Sequence, residues 1–306
     1  MGIAPEPKRD AESLRGSRRS NRRLPRRAAI GRRSFTSTLK VLDQLAASGA
    51  RVAVRITDLD RGSAVLAGDD HEMLPVAGLG VVPLLVEIAA GFESGALDPL
   101  EIIDRSALDQ VAIAGVWQHL KAPALPLSDL AVLAAATGDA LATNALIERV
   151  GLPAVRARIE QLGLAHSALL DVFRDERGPD DAPHVALGSA RELSELFAAL
   201  VNSEVVSAGV SAQVAEWLSL NHDLSLVASA TGLDPFSHEN DEHGLLFVNK
   251  TGQDAGIRAE AGVLAGPRAG VSYALIVCFD DLSITHRLRA HEAFRTLGVD
   301  LMEYVF

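Results

Sequence analysis

The chain has 306 residues, of which 48% are hydrophobic but only 4% are aromatic. Its core must therefore be built from Leu, Val, Ile and Ala, and the scarcity of aromatic rings argues against a module that stacks the bases of single-stranded nucleic acids. The single cysteine, Cys278, excludes a disulfide within the chain. Its position in an apolar run predicts a buried, inert thiol.

The net charge of −11 is unevenly distributed. Residues 1–33 contain eleven Lys or Arg and three acidic residues, a charge of +8, which leaves −19 on residues 34–306. A segment so basic and so poor in large apolar residues cannot bury enough surface to fold alone. We therefore predict a disordered tail over 1–33 that could contact an anionic partner, followed by one acidic domain over 34–306 that repels nucleic acids.

A twin-arginine pair, Arg32-Arg33, ends the basic segment. Twin-arginine export signals continue into an uncharged apolar stretch, whereas here Phe35, Leu39, Leu42 and Leu45 recur at helical spacing among charged residues. We therefore predict an amphipathic first helix instead of an export signal, and a cytoplasmic protein. The chain has no run of eighteen apolar residues, so no transmembrane segment is expected.

Alternating apolar residues predict β-strands near both ends of the domain. Val52, Val54 and Ile56 indicate a half-buried strand that forms a hairpin with 64–66, and three further strands are predicted over 245–248, 261–265 and 271–279. A closing helix is predicted over 283–305. Its expected apolar stripe consists of Ile284, Leu288, Phe294, Leu297, Leu301 and Tyr304.

Between the second and third strands the apolar period is helical. Ser189 and Glu192 have the spacing of a capping box before a regular apolar stripe, and 127–150 is helical except for a break at 137–139. Residues 173–184, rich in Asp, Gly and Pro, indicate an irregular loop. This order predicts an α+β fold: a five-stranded antiparallel sheet assembled from both chain ends, flanked by N- and C-terminal helices, with an all-helical lobe inserted at about 95–215.

One short motif and three helical segments carry a family resemblance. Lys250-Thr251-Gly252 ends a predicted strand and is followed by Gly256-Ile257-Arg258 and another strand. A Lys-Thr-Gly triplet alone is common, but the segments 114–120, 127–130 and 139–147 accompany it in a matching order and spacing. Over roughly residues 36–306 the chain thus resembles class A serine β-lactamases and penicillin-binding transpeptidases, which implies a β-lactamase-like fold.

In that family a Ser-x-x-Lys motif at the start of a helix supplies the nucleophile and a proton acceptor. The matching segment here is 74–83, with Gly78 at the position of the serine and Val81 at that of the lysine. Neither side chain can attack a carbonyl or transfer a proton, and no Ser, Thr or Cys lies between His71 and Glu93. No catalytic residue is therefore expected at these positions.

The family's second motif, Ser-Asp-Asn, is matched by Gly138-Asp139-Ala140, which keeps only the aspartate. Asp139 would cap a helix or hold a loop, or else contribute to ligand binding. Thr137 is a hydroxyl one position early, with no identifiable base beside it. The family also uses a glutamate on an irregular loop. Four acidic residues are candidates for that role, although a solvated loop is the simpler interpretation: Asp175, Glu176, Asp180 and Asp181.

No metal and no cofactor are expected. One polar stretch contains metal-ligand residue types, but it lacks the regular spacing of a zinc site. Its members are His238, Glu239, Asp241, Glu242 and His243.

The third motif implies a binding groove. In the family, its lysine helps to bind the substrate carboxylate, its threonine donates a hydrogen bond and its glycine lets the substrate backbone approach. Retention of all three here indicates either a surviving pocket for a carboxylate-bearing small molecule or a strand end kept for packing. The candidate ligand-binding residues are Lys250, Thr251, Gly252, Gly78 and Asp139.

Three functions remain compatible with the sequence. The first is a non-catalytic ligand-binding or regulatory pseudoenzyme, which is favoured by the loss of the serine, the lysine and two groups of the second motif. The second is a hydrolase of β-lactams or of other amides or esters with an altered mechanism, and it requires a perturbed carboxylate in the cleft. The third is an interaction module that recruits partners through its basic tail.

Overall fold

A computed structural model describes residues 35–235 and 244–306. The predicted tail over 1–33 and the polar stretch over 238–243 lie outside these residues. Residues 34–306 group into one compact unit. In chain order the helices and strands are α1 (Thr36–Ala47), β1 (Arg51–Asp58), β2 (Ser63–Gly68), β3 (Leu74–Pro75), α2 (Val82–Ser94), β4 (Ile102–Asp104), β5 (Ala124–Pro126), α3 (Leu127–Ala136), α4 (Ala140–Val150), α5 (Leu152–Gln161), β6 (Ala168–Leu169), β7 (Ala186–Gly188), α6 (Ala190–Val201), α7 (Ala208–Ser219), β8 (Leu246–Asp254), β9 (Ile257–Ala265), β10 (Gly270–Cys278) and α8 (Ile284–Val305).

The five long strands form one antiparallel sheet in the order β2-β1-β10-β9-β8. The first and last thirds of the chain meet in its centre, where Val54 pairs with Leu275. The predicted sheet and its assembly from both chain ends are therefore confirmed. Strand β8 is longer than expected, because the polar residues Gln253 and Asp254 continue its pairing with β9.

Strand alternation divides the hydrophobic core into two layers on opposite faces of the sheet. Ala53, Ala261 and Ile276 face the helical lobe, whereas Val54 and Leu275 face α1 and α8. These two terminal helices are tied together by the hydroxyl of Thr38, which donates to Asp300 Oδ2 at 2.7 Å. Helices thus cover both faces of the sheet.

Two apolar stripes predicted from the sequence are only partly buried. Leu42 and Leu45 of α1 are buried, but Leu39 is 45% exposed. In α8 the predicted stripe is correct from Phe294 onwards and wrong at Ile284 and Leu288, which are both 62% exposed. The helical spacing of apolar residues predicted both helices correctly, but it could not show where each helix extends beyond the sheet.

Helix α2 is the apolar centre of the helical lobe. Among the described residues, the stretch Ala77–Ser94 is long and apolar enough to cross a membrane, with a mean hydropathy of 1.5, and 56% of it is buried in the protein. A helix at the centre of a packed lobe needs the same composition. The helices of the lobe run from Val82 to Ser219, a wider span than the predicted 95–215.

The predicted helix starts within the lobe are present. Ser189 caps α6 by accepting from the backbone N–H of Glu192. The reciprocal half of the capping box is absent, because the Glu192 carboxylate instead accepts from the backbone of His166 and from the Ser167 hydroxyl. The break at 137–139 separates α3 from α4 as expected.

Candidate functional site

A cleft of about 730 Å³ lies beside strand β8. It is bordered by a 3₁₀ turn (Ala77–Val81), the α3–α4 junction, the irregular loop over 173–184 and the start of α8. The residues of this cleft used below are Ala77, Gly78, Thr137, Gly138, Asp175, Asn221, Asp223, Lys250, Thr251, Arg258 and Arg287. The fold therefore brings Gly78, Lys250 and Thr251 together, whereas Val81, Asp139 and Gly252 do not line the cleft.

The backbone next to Gly78 is strained. Ala77 has a φ of 47° although it is a non-glycine residue, and it is buried. Such a left-handed conformation costs about 1–2 kcal/mol and tends to cluster at functional sites. A Cβ built on Gly78 would lie 3.6 Å from the carbonyl oxygen of Thr251. Gly78 thus stands directly opposite the third motif but presents no side chain to it.

Val81 belongs to the core. It is 2% exposed and lies in the core cluster that contains Leu79 and Leu84. Residues three apart in a 3₁₀ turn share a face, so Val81 follows Gly78 one turn deeper into the protein. A charged group at this position would be surrounded by apolar side chains.

Lys250 is buried, with 2% of its surface exposed. Its Nζ donates to the carbonyl oxygens of Ala134 and Ala135, at 3.0 and 2.9 Å, at the end of α3. Burial lowers the pKa of Lys250 to about 8, although the negative charge of Asp223 partly opposes this shift. The ammonium therefore binds backbone carbonyls of the lobe and borders the cleft at the same time.

Thr251 and Asp223 form the polar side of the cleft. Burial raises the pKa of Asp223, but hydrogen bonds from Ser225, Thr251 and Gln253 outweigh it, and the net pKa is below the usual value. The Gln253 bond measures 2.6 Å from Nε2 to Oδ2. Asp223 is thus an ionised carboxylate on the Thr251 side of the cleft. The sequence analysis missed this residue, since it lies in a segment with no regular period.

Gly252 has a packing role. A Cβ built on it would overlap the carbonyl oxygen of Val76 and would lie 2.9 Å from the backbone nitrogen of Leu79. Position 252 therefore requires a glycine because the backbone of the 3₁₀ turn packs directly against it. This contact fits the packing alternative and accounts for the glycine without a substrate.

Asp139 is likewise occupied by the protein itself. Its Oδ2 accepts from the backbone N–H groups of Val116 and Trp117, at 2.7 and 2.8 Å, and its Oδ1 accepts from Ala142 at 2.9 Å. It caps α4 and holds the preceding loop, as the structural alternative predicted. The neighbouring Thr137 donates its hydroxyl to the carbonyl of Leu133.

The irregular loop over 173–184 is present, and Asn144 anchors its start. The Asn144 amide exchanges two hydrogen bonds of 2.8 Å with the backbone of Phe173. Of the four acidic candidates only Asp175 lines the cleft, and its Oδ1 accepts from the backbone N–H of Ala112 at 2.7 Å. The loop therefore presents one tethered carboxylate to the cleft.

The β9–α8 side of the cleft carries two arginines, Arg258 and Arg287. Among the described residues no carboxylate oxygen lies within 4.0 Å of Lys250, Arg258 or Arg287. Burial, followed by the nearby charge of Arg287, lowers the pKa of Arg258, while Asp223 and Asp254 oppose the shift. Two guanidinium groups close enough to affect each other form a favourable environment for an anion.

A buried polar network supports the cleft from behind. Asn221 donates to Asn249, which donates to Glu260 at 2.7 Å. Glu260 also accepts from the Tyr273 hydroxyl and from the backbone of Val227. Burial raises the pKa of Glu260 to about 7 despite these three donors. The network fixes Asn221, a cleft residue, to the centre of the sheet.

No metal site emerges from the part of the chain that the structure describes. No group of three His, Cys, Asp or Glu side chains is placed there to hold an ion. Cys278 is buried, and burial raises the pKa of its thiol to about 11. The chemistry of this cleft rests on its lysine, its arginines and its carboxylates.

The architecture is that of class A β-lactamases and their penicillin-binding relatives. A β-lactamase from Sphaerobacter thermophilus DSM 20745 superposes with a TM-score of 0.76 at 20% identity, covering 89% of this chain and 97% of that one. A β-lactamase from Xanthomonas campestris pv. campestris gives 0.73 at 14% identity, covering 89% and 98%. The penicillin-binding protein PBP-A gives 0.71 at 18% identity, covering 88% and 95%.

Residues 34–305 match the model of the beta-lactamase enzyme family, and the chain belongs to that family. No curated protein is significantly similar to it in sequence. At identities of 20% or less the structural neighbours establish the fold, and the activity must be argued from the residues of the cleft.

Proposed function

We propose that this protein is a non-hydrolytic member of the β-lactamase family that binds a small carboxylate-bearing molecule in its cleft. The observation that carries the proposal is Gly78, which lies beside Thr251 in the cleft lining without a side chain and precedes the buried, apolar Val81. A serine-type acyl transfer needs a hydroxyl and a base at hydrogen-bonding distance. Neither residue supplies one.

Arg258 and Arg287, which contact no carboxylate among the described residues, support an anionic ligand. A carboxylate can accept two parallel hydrogen bonds from one guanidinium, which makes arginine an effective carboxylate receptor. Thr251, which also lines the cleft, adds a hydroxyl to this binding surface. The strained Ala77 beside Gly78 further supports a functional cleft, since strain persists where a site requires it.

The alternative, a hydrolase with an altered mechanism, has weaker support. Its base would come from the acidic loop, but Asp175 already accepts a backbone hydrogen bond from Ala112. Asp223 has a lowered pKa and is held by three neighbours. A general base works best with a pKa near the working pH, so neither carboxylate is well placed for that role.

Incubation with a labelled penicillin is expected to give no covalent adduct, because the cleft lacks a serine at Gly78. A chromogenic cephalosporin should be turned over no faster than by the heat-denatured chain. Intact-mass spectrometry and absorbance measure the two results. Saturable hydrolysis that survives Thr137→Val but is abolished by Lys250→Ala would contradict the proposal, since it would require a mechanism built on the retained third motif.

Phenylacetate is expected to raise the thermal unfolding midpoint in a concentration-dependent way, whereas the neutral phenylacetamide is not. Replacing Arg258 by Gln should weaken phenylacetate binding by roughly 10- to 100-fold, since a hydrogen bond to a charged group contributes about 1.5–3 kcal/mol. Titration calorimetry measures both variants. Arg295→Gln, an exposed position further along α8, is the matched control. Equal stabilisation by the acid and the amide would contradict a carboxylate site.

The proposal also includes a cytoplasmic location and contact of the basic segment over 1–33 with an anionic partner. Both rest on the charge pattern of the sequence. Deleting residues 1–33 should remove partner capture without changing the affinity for phenylacetate, if the tail and the cleft act independently.

A further inference from the structure

Lys250 is a buried amine with a specific arrangement of hydrogen-bond acceptors. The carbonyls of Ala134 and Ala135 accept two hydrogen bonds from Nζ. A neutral amine has two hydrogens and one lone pair, so these two carbonyls satisfy both hydrogens of the neutral form. The lone pair of the amine then has no competing donor and is free to attack an electrophile.

Lys250 and Gly138 both line the cleft, and Gly138 lies in contact distance of Nζ. A Cβ built on Gly138 would lie 3.7 Å from Nζ, and Gly138 itself carries no side chain. Gly78 is a second glycine in the lining of the same cleft, which has a volume of about 730 Å³. The missing side chain of Gly138 thus leaves the amine in contact with a cleft large enough for a small ligand.

We propose that the Lys250 amino group captures a small aldehyde or 2-oxo acid as an imine, with the carboxylate of that ligand held on the Arg258 side of the cleft. This inference rests on the proposed anion-binding function and adds a covalent step to it. The Nζ lone pair adds to the carbonyl carbon, and a proton passes from nitrogen to the carbonyl oxygen. The resulting carbinolamine loses water to give the C=N bond, so no oxidant or reductant is consumed.

Burial favours the neutral, reactive form of the Lys250 amine. Asp223 is the charged group that influences the pKa of this amine among the described residues, and it raises that pKa. The end of α3 presents only backbone carbonyls, the α3–α4 turn presents Gly138, and the partner on β9 is Ala261. With a pKa of about 8 instead of 10.5, the neutral fraction at pH 7 exceeds that of an exposed lysine roughly 300-fold.

The test is reductive trapping of the folded, full-length protein with glyoxylate and cyanoborohydride at pH 7, followed by peptide mapping. The hydride converts the imine to a stable secondary amine on the residue that formed it. The chain has four lysines, Lys8, Lys40, Lys121 and Lys250. Lys250 is expected to be modified on the order of 100-fold faster than the exposed Lys40 and Lys121. The α-amino group, with an ordinary pKa of about 8, is an internal positive reference.

Four comparisons complete the test. The rate at Lys250 should rise with a midpoint near pH 8, and unfolding in urea should lower it to that of Lys121. Propanal, which lacks a carboxylate, should modify Lys250 at least about tenfold more slowly than glyoxylate, relative to the α-amino group. Lys250→Met should remove the adduct and Lys121→Arg should not.

An unmodified Lys250, or one that reacts no faster than Lys121 in the folded protein, would overturn the inference even if Lys250→Met failed to fold. Equal selectivity for propanal would overturn the assignment of an anionic carbonyl ligand. Phenylacetate binding without a Lys250 adduct would leave the proposed function standing and reject only the covalent step.

Discussion

Gly252→Ala is expected to destabilise the protein by about 3 kcal/mol or more. Overpacking usually costs 1–3 kcal/mol when side chains can adjust, but here the new Cβ meets the backbone of Val76 and Leu79, which cannot rotate away. Strand β8 and the 3₁₀ turn at Ala77–Val81 would have to separate. Because total stabilities are about 5–15 kcal/mol, this single methyl group should shift the urea midpoint strongly.

Gly78→Ala is the matched control for this measurement. Gly78 also has a φ outside the left-handed region, but its built Cβ meets only the Thr251 carbonyl, at an ordinary 3.6 Å. We expect its urea midpoint to remain close to that of the unmodified protein. Equal midpoints for the two variants would show that the turn can yield, and would remove the packing explanation for Gly252.

Val81→Lys is expected to cost on the order of 3–5 kcal/mol, because it places an uncompensated ammonium among apolar side chains. Val81→Met, which adds volume without charge, should cost about 1–3 kcal/mol, the usual range for overpacking. Denaturant unfolding measures both. A Val81→Lys variant as stable as Val81→Met would mean that the lysine reaches the cleft or the solvent.

This cost limits any attempt to restore acyl transfer. Gly78→Ser alone supplies a hydroxyl without a base, so no penicillin adduct is expected. The double variant Gly78→Ser/Val81→Lys should acylate slowly at best and should not deacylate, since it still lacks the hydroxyl and amide of the second motif. Rapid acylation of Gly78→Ser alone would indicate that another group of the cleft, such as Lys250, accepts the serine proton.

Local patterns in the sequence determined the elements of this fold. The alternation of Val52, Val54 and Ile56 and the stripe that follows Ser189 depend on periods of 2 and 3.6, which any half-buried strand or helix must obey. The break at 137–139 and the cap at Asp139 were predictable for the same reason, since a capping aspartate acts on its nearest neighbours. The family followed from motif order, and with it the sheet topology.

Only the tertiary structure decided what the motif residues do. Gly252 could allow the approach of a substrate or the packing of the turn at Val76. The choice depends on a contact between segments more than 170 positions apart. The pKa of Lys250 depends on burial against α3, and the role of Asp223 depends on Thr251 and Gln253 reaching it from β8. Burial and electrostatics are sums over neighbours brought together by folding, so no local pattern encodes them. The exposure of Ile284 and Leu288 has the same origin, because a helical period cannot indicate where the sheet beneath it ends.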